Sequence, residues 1–79
     1  MIITSYSDFN RPLNEYPKKL KGKLLHRWVK RNLRNRKRVS VFELGEDYRM
    51  ARTIGYLQKI GSVDLDNENM QYPYLEVVK

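Results

Sequence analysis

The chain contains no cysteine, so no disulfide staples it and no thiolate is available as nucleophile or metal ligand. With one histidine, His26, it also lacks the donor set of a structural zinc site. No apolar run approaches the roughly 20 residues that a membrane-spanning helix needs. The opening MIITSYSDFN has neither a basic stretch nor an apolar run after it, which excludes a signal peptide. Neither a phosphate-cradling glycine loop nor a nucleophile–base pair is recognisable. Asp64, Asp66 and Glu68 carry only part of a calcium-loop spacing, and no glycine follows. The expectation is therefore a non-enzymatic protein with no cofactor, no metal, no small-molecule substrate and no membrane partner. It is expected to be soluble and cytoplasmic, associated with the nucleoid, or in the host cell if viral.

Acidic residues are missing from one segment altogether. Residues 18–38 hold eleven Lys or Arg and no Asp or Glu, in a chain of 79 residues with net charge +7. The cationic field is thus concentrated, and it favours a polyanionic partner. A chain of this length makes one small domain with a core barely large enough to stand alone.

Residues 1–17 carry Ile2, Ile3, Tyr6, Phe9, Leu13 and Tyr16 without regular periodicity, punctuated by Pro12 and Pro17. They read as an N-terminal arm laid on the domain 18–79 or on a second subunit. A first helix is expected from about Pro17 to Asn35, or from just after Gly22, where propensity drops. At about 100° per residue, Leu24, Leu25, Trp28 and Val29 share one side. Lys19, Lys23, Arg27, Lys30, Arg34 and Lys37 fall nearly opposite.

Arg38–Val41 reads as a short strand, and S-V-F-E from Ser40 fits a capping box with Glu43. That box would open a second helix over Val41–Asp47, burying Leu44 with Val41 or Phe42. A third helix is expected over Arg49–Ile60, with Ile54, Leu57 and either Met50 or Ala51 inward and Gly61 just past its end. Val63 and Leu65 alternate with polar residues, as Leu75 and Val77 do, around a D-N-E-N turn. Pro73 requires an edge or strand-start position. Leu24, Trp28, Ile54 and Leu57 are the expected core.

The segment R-T-I-G-Y-L-Q-K-I-G, with Arg52, Thr53, Ile54, Tyr56, Leu57, Lys59, Ile60 and Gly61, resembles the second helix of the helix-turn-helix in winged helix-turn-helix regulators. Together with the following hairpin, the resemblance covers about half the chain. It implies an α+β winged helix of three helices and a C-terminal β-hairpin wing. It also implies a DNA-binding transcription regulator of the kind found in archaea, bacteria and their viruses, in which the third helix enters the major groove. Such proteins often bind palindromes as dimers, so a homodimer is one expected arrangement.

Outward residues on that helix are Arg49, Arg52, Thr53, Tyr56 and Lys59. Arg52 is suited to a bidentate pair with guanine, Thr53 to a thymine methyl or a phosphate, and Tyr56 and Lys59 to phosphates. The Lys19/Lys23/Arg27/Lys30/Arg34/Lys37 face is expected to supply affinity without sequence choice. Double-stranded DNA is the expected partner. The wing departs from the family pattern, because Asp64, Asp66, Asn67, Glu68 and Asn69 stand where a DNA-touching wing carries cations. It is expected to stand off the phosphates or to face a protein. Rival readings are an RNA-binding or ribosome-associated winged helix and a viral or accessory protein that binds a host protein. An anionic-membrane binder ranks below both, because Trp28 and the leucines are needed for the core.

Overall fold

The computed structural model describes residues 11–66 and 73–78. It is a small α+β domain of two α-helices and a three-stranded antiparallel sheet. The elements are α1 (Gly22–Arg36), β1 (Val39–Ser40), α2 (Tyr48–Lys59), β2 (Val63–Asp66) and β3 (Tyr74–Val77), with short 3-10 turns at Leu13–Glu15 and Val41–Leu44. The strand order is β1-β3-β2.

The expected second helix is a correction: the chain makes only the 3-10 turn Val41–Leu44 there. Four residues between a strand and Gly45 are too few to repay helix nucleation. Gly45 has φ +56°, and a Cβ there would meet Asn14 Nδ2 at 2.7 Å, so the turn must stop at a glycine. The capping box forms by half. Ser40 Oγ accepts from the Phe42 N–H at 3.2 Å. Glu43 turns instead to Arg36 and takes both guanidinium nitrogens in a bidentate pair. Phe42 is exposed, while Val41 and Leu44 are partly buried against the core.

The expected third helix is α2, capped by a side chain at its start and closed by a glycine turn at its end. Asp47 Oδ1 accepts from the Met50 N–H at 2.9 Å, the N-cap bond. At the other end the Ser62 N–H reaches Leu57 O and the Gly61 N–H reaches Gln58 O, at 2.9 and 3.1 Å. This pair of bonds is a Schellman closure, and Gly61 supplies its positive φ of 77°. The first helix starts at Gly22, because Pro17–Leu20 closes a turn of its own through the Leu20 N–H and Pro17 O. Lys19 therefore precedes α1 and is not on its face.

Strand register puts Val39, Leu75 and Leu65 in one row, with Val63 paired to Val77 on the same face. That face meets the helices, and Val39, Val63 and Leu75 are buried. Pro73 lies just before β3, and its carbonyl accepts from the Val41 N–H. The D-N-E-N turn over 66–69 continues past Asp66 outside the described residues.

The core joins Leu13, Tyr16, Leu25, Trp28, Val29, Leu33, Met50, Ile54 and Leu57 to the sheet. Leu13 and Tyr16 from the expected arm are thus core residues, fixed in part by Asn32 Nδ2 and Arg36 Nη1, which both donate to Arg11 O at 3.0 Å. Residues 1–10 of that arm lie outside the described residues. Leu24 is a second correction: it is 57% exposed. The buried face of α1 runs through Leu25, Val29, Asn32 and Leu33, and Leu24 sits about 100° from its centre. On α2, Met50 is inward and Ala51 exposed.

Two predictions follow from this packing. Trp28→Ala should cost roughly 3–5 kcal/mol and Leu24→Ala less than about 1 kcal/mol, as measured by chemical denaturation. Equal effects would contradict the core. Asp47→Ala should cost about 1 kcal/mol through the lost cap. Burial works against the Asp47 carboxylate, but hydrogen bonds from Lys18, the Met50 N–H and Tyr16 outweigh it and lower its pKa. The associated stability is therefore complete above the ordinary value of 3.8 and is lost as pH falls below it. Melting curves of wild type and Asp47→Asn should converge across that acid window.

Candidate nucleic-acid interface

The carboxylates of the described residues take a defined set of cations. Asp47 pairs with Lys18 at 2.7 Å, Glu43 with Arg36, and Asp66 and Glu76 together with Arg38 at 2.7 and 3.2 Å. The hydrogen bonds that Arg38 donates to Asp66 and Glu76 raise its pKa above its already high value. Arg38 also lies over the Tyr74 ring at 5.0 Å, so it closes the outer face of the sheet as an internal clamp. The acidic character of Asp66 is therefore partly absorbed within the domain.

Lys23, Arg27, Lys30 and Arg34 face no carboxylate within salt-bridge distance among the described residues. Their positions on α1 fall within about 60° of one another at 100° per residue, opposite the buried face. Lys30 is half-buried and the other three are exposed. From Lys23 to Arg34 the row is about 16 Å long, at 1.5 Å per residue.

Lys37 ends this row in an unusual backbone. Its φ is +69° and its ψ −62°, and the Arg38 N–H donates to Arg36 O across it at 2.8 Å. This is a γ-turn with positive φ, a strained geometry for a residue with a side chain. The backbone leaves α1 here, so Lys37, like Lys19, lies off the helix.

The residues expected to point outward from α2 divide. Arg52, Tyr56 and Lys59 are exposed. Arg52 lies 6.0 Å over the Tyr48 ring. Thr53 is a correction, being only 7% exposed. On the helical wheel it sits about 40° from Leu57, within the apolar arc, so base contact by its side chain is not available from this surface. Arg49 is half-buried and committed internally. Its guanidinium donates to the carbonyls of Lys18, at 3.1 Å, and Leu20, and lies 5.2 Å over the Tyr16 ring. It ties the segment before α1 to α2.

Between the helices, His26 of α1 stacks on Tyr56 of α2, with ring centroids 4.9 Å apart and planes at 23°. The pair stands between two hollows. One, of about 450 Å³, is lined by Lys23, Arg27, Lys30 and Arg34 with Tyr56 and Ile60. The other is lined by Lys21, Leu25, Arg49, Arg52 and Thr53, again with both rings of the pair. The sequence marks His26 only as a packing or solvated residue. Its partner is 30 positions away on another helix, so no spacing signals the stack.

Among the described residues no group of three His, Cys, Asp or Glu is placed to hold a metal, and no helix is long and apolar enough to cross a membrane. No family model, curated protein or solved structure matches the chain.

Lys37 generates a prediction of its own. Lys37→Gly should stabilise the fold by roughly 1 kcal/mol in denaturant titrations, because glycine adopts this φ without strain. A loss of stability would mean that the side chain contributes packing that outweighs the strain.

Proposed function

We propose that this chain is a nucleic-acid-binding protein that docks on phosphates through the Lys23/Arg27/Lys30/Arg34 row of α1, with double-stranded DNA as its partner. The observation that carries the reading is the row itself: four cations on one helix face, opposite the core, with no carboxylate within salt-bridge distance among the described residues. Such a row releases counterions when it meets phosphates, so its affinity is strong at low salt and largely independent of sequence.

The element order, and a β3 strand that pairs between β1 and β2, support a winged-helix arrangement. In that arrangement α2 approaches the major groove and its exposed edge offers Arg52, Tyr56 and Lys59. With Thr53 buried and Arg49 committed, Arg52 is the remaining base-reading candidate, and Tyr56 and Lys59 are placed for phosphates.

The experiment is a titration of labelled duplex DNA at several salt concentrations. Replacing Lys23, Arg27 and Lys30 by Gln should weaken binding to every duplex alike and reduce the salt slope by roughly one for each lost phosphate contact. Unchanged affinity and slope in a folded variant would reduce the row to solvated surface. Site selection from a random library then tests Arg52. Arg52→Ala should relax preference at one base pair, costing roughly 1–3 kcal/mol there and little on random DNA. Identical preferences in both proteins would remove α2 from sequence readout.

A further inference from the structure

We propose that the α1–α2 hollow binds an unpaired nucleotide, its base stacked on the His26–Tyr56 pair and its flanking phosphates held by the cations on either side. This rests on the phosphate-docking reading above and adds to it a single-stranded mode at the same surface. The shared chemistry is an unstacked base on a phosphate backbone, from single-stranded DNA or RNA.

Three observations converge on it. First, Tyr56 is 48% exposed although one of its faces is stacked on His26. The stack fixes the ring's orientation, so a base meets a surface that is already ordered. Beside it, Ile60 is 46% exposed and extends the apolar floor of the hollow. Second, cations flank the ring pair on both sides: Lys23, Arg27 and Lys30 line one hollow, and Lys21 and Arg52 the other. A strand crossing the pair meets positive charge before and after the stacked base. A cationic groove with an aromatic platform is the combination that holds single strands.

Third, the cationic row is straight because it follows a helix. A single strand can bring several phosphates to such a row before it crosses the ring pair. A paired duplex keeps its base faces inside the stack, where Tyr56 cannot reach them.

The test compares fluorescence anisotropy titrations of oligo(dT), oligo(U) and a mixed-sequence duplex of the same length, using the full chain and its Tyr56→Ala and Tyr56→Phe variants. Far-UV circular dichroism melts establish that each variant is folded. Wild type should bind at least one single strand as well as the duplex. Tyr56→Ala should weaken single-strand binding about ten-fold, and duplex binding, which loses at most one phosphate contact from the hydroxyl, much less, with the salt slopes nearly unchanged. Tyr56→Phe, which keeps the ring, should restore most of the loss. Preference for oligo(dT) or for oligo(U) identifies the source of the strand. Equal losses on single strand and duplex, or no loss on either, would overturn the stacking site while leaving phosphate docking intact. Absence of binding to all three probes at low salt would overturn both readings.

Discussion

The Asp47 carboxylate is the junction on which the arrangement of the two helices depends. One of its oxygens caps α2 through the Met50 N–H and lies 3.4 Å from the Tyr16 hydroxyl, while the other accepts from Lys18 at 2.7 Å. Tyr16 is buried and meets Trp28 of α1 in a tilted contact at 6.5 Å, with Lys18 3.7 Å over its ring. Arg49, in the first turn of α2, reaches back to the carbonyls of Lys18 and Leu20. The start of α2, the segment before α1 and the core face of α1 are thus linked through one short run of side chains. The hollow between the helices inherits its shape from that link, since His26 and Tyr56 each stand on one of the joined helices.

Charge is distributed by the same economy. Arg36 and Arg38 belong to the dense cationic segment but are turned inward to Glu43, Asp66 and Glu76. These pairs tie α1 to the 3-10 turn and the start of β1 to the hairpin. Asp64 stands directly opposite Glu76 across the β2–β3 ladder, a like-charge pairing that costs stability and that the Arg38 guanidinium offsets. The row from Lys23 to Arg34 takes no part in these pairs. The acidic hairpin and the basic helix are therefore complementary parts of one charge pattern, partly closed on itself at Arg38.

Much of this was legible in the sequence where a single element carried its own signal. The 3.6-residue pattern located α1 and α2, Gly61 marked the end of α2, and alternation around Val63–Leu65 and Leu75–Val77 marked the hairpin. What was not legible depended on competition between elements. Glu43 satisfies a capping box by spacing, yet Arg36 offers it a charged bidentate partner, and the box gives way. Leu24 looks apolar enough for the core, but the buried arc of α1 is centred on Leu25, Val29 and Asn32. Thr53 looks polar enough for the outer face, but its angle places it beside Leu57. At the site, the basic row was visible as spacing on one helix. The His26–Tyr56 stack was not, because it joins two helices whose mutual placement no local pattern encodes.

The basic row also bears on whether the surface exists before a partner arrives. Lys23 with Arg27 and Lys30 with Arg34 are like charges four residues apart, each pair costing an isolated helix a few tenths of a kcal/mol. No acidic residue in the first turn of α1 favours its dipole, although Arg34 and Arg36 in the last turn do. Against this, Leu25, Trp28, Val29 and Leu33 are buried on the opposite face. Burial of each such side chain stabilises by roughly 1.5–3 kcal/mol, several times the repulsion of any one pair. The helix is therefore held by its core face rather than by neutralisation of its charged one. A polyanion that docks there meets cations already fixed on a rigid element, so binding need not also supply the entropy of ordering the helix. Among the described residues no carboxylate relieves the repulsion along the row, so any polyanion that did relieve it would gain by that much.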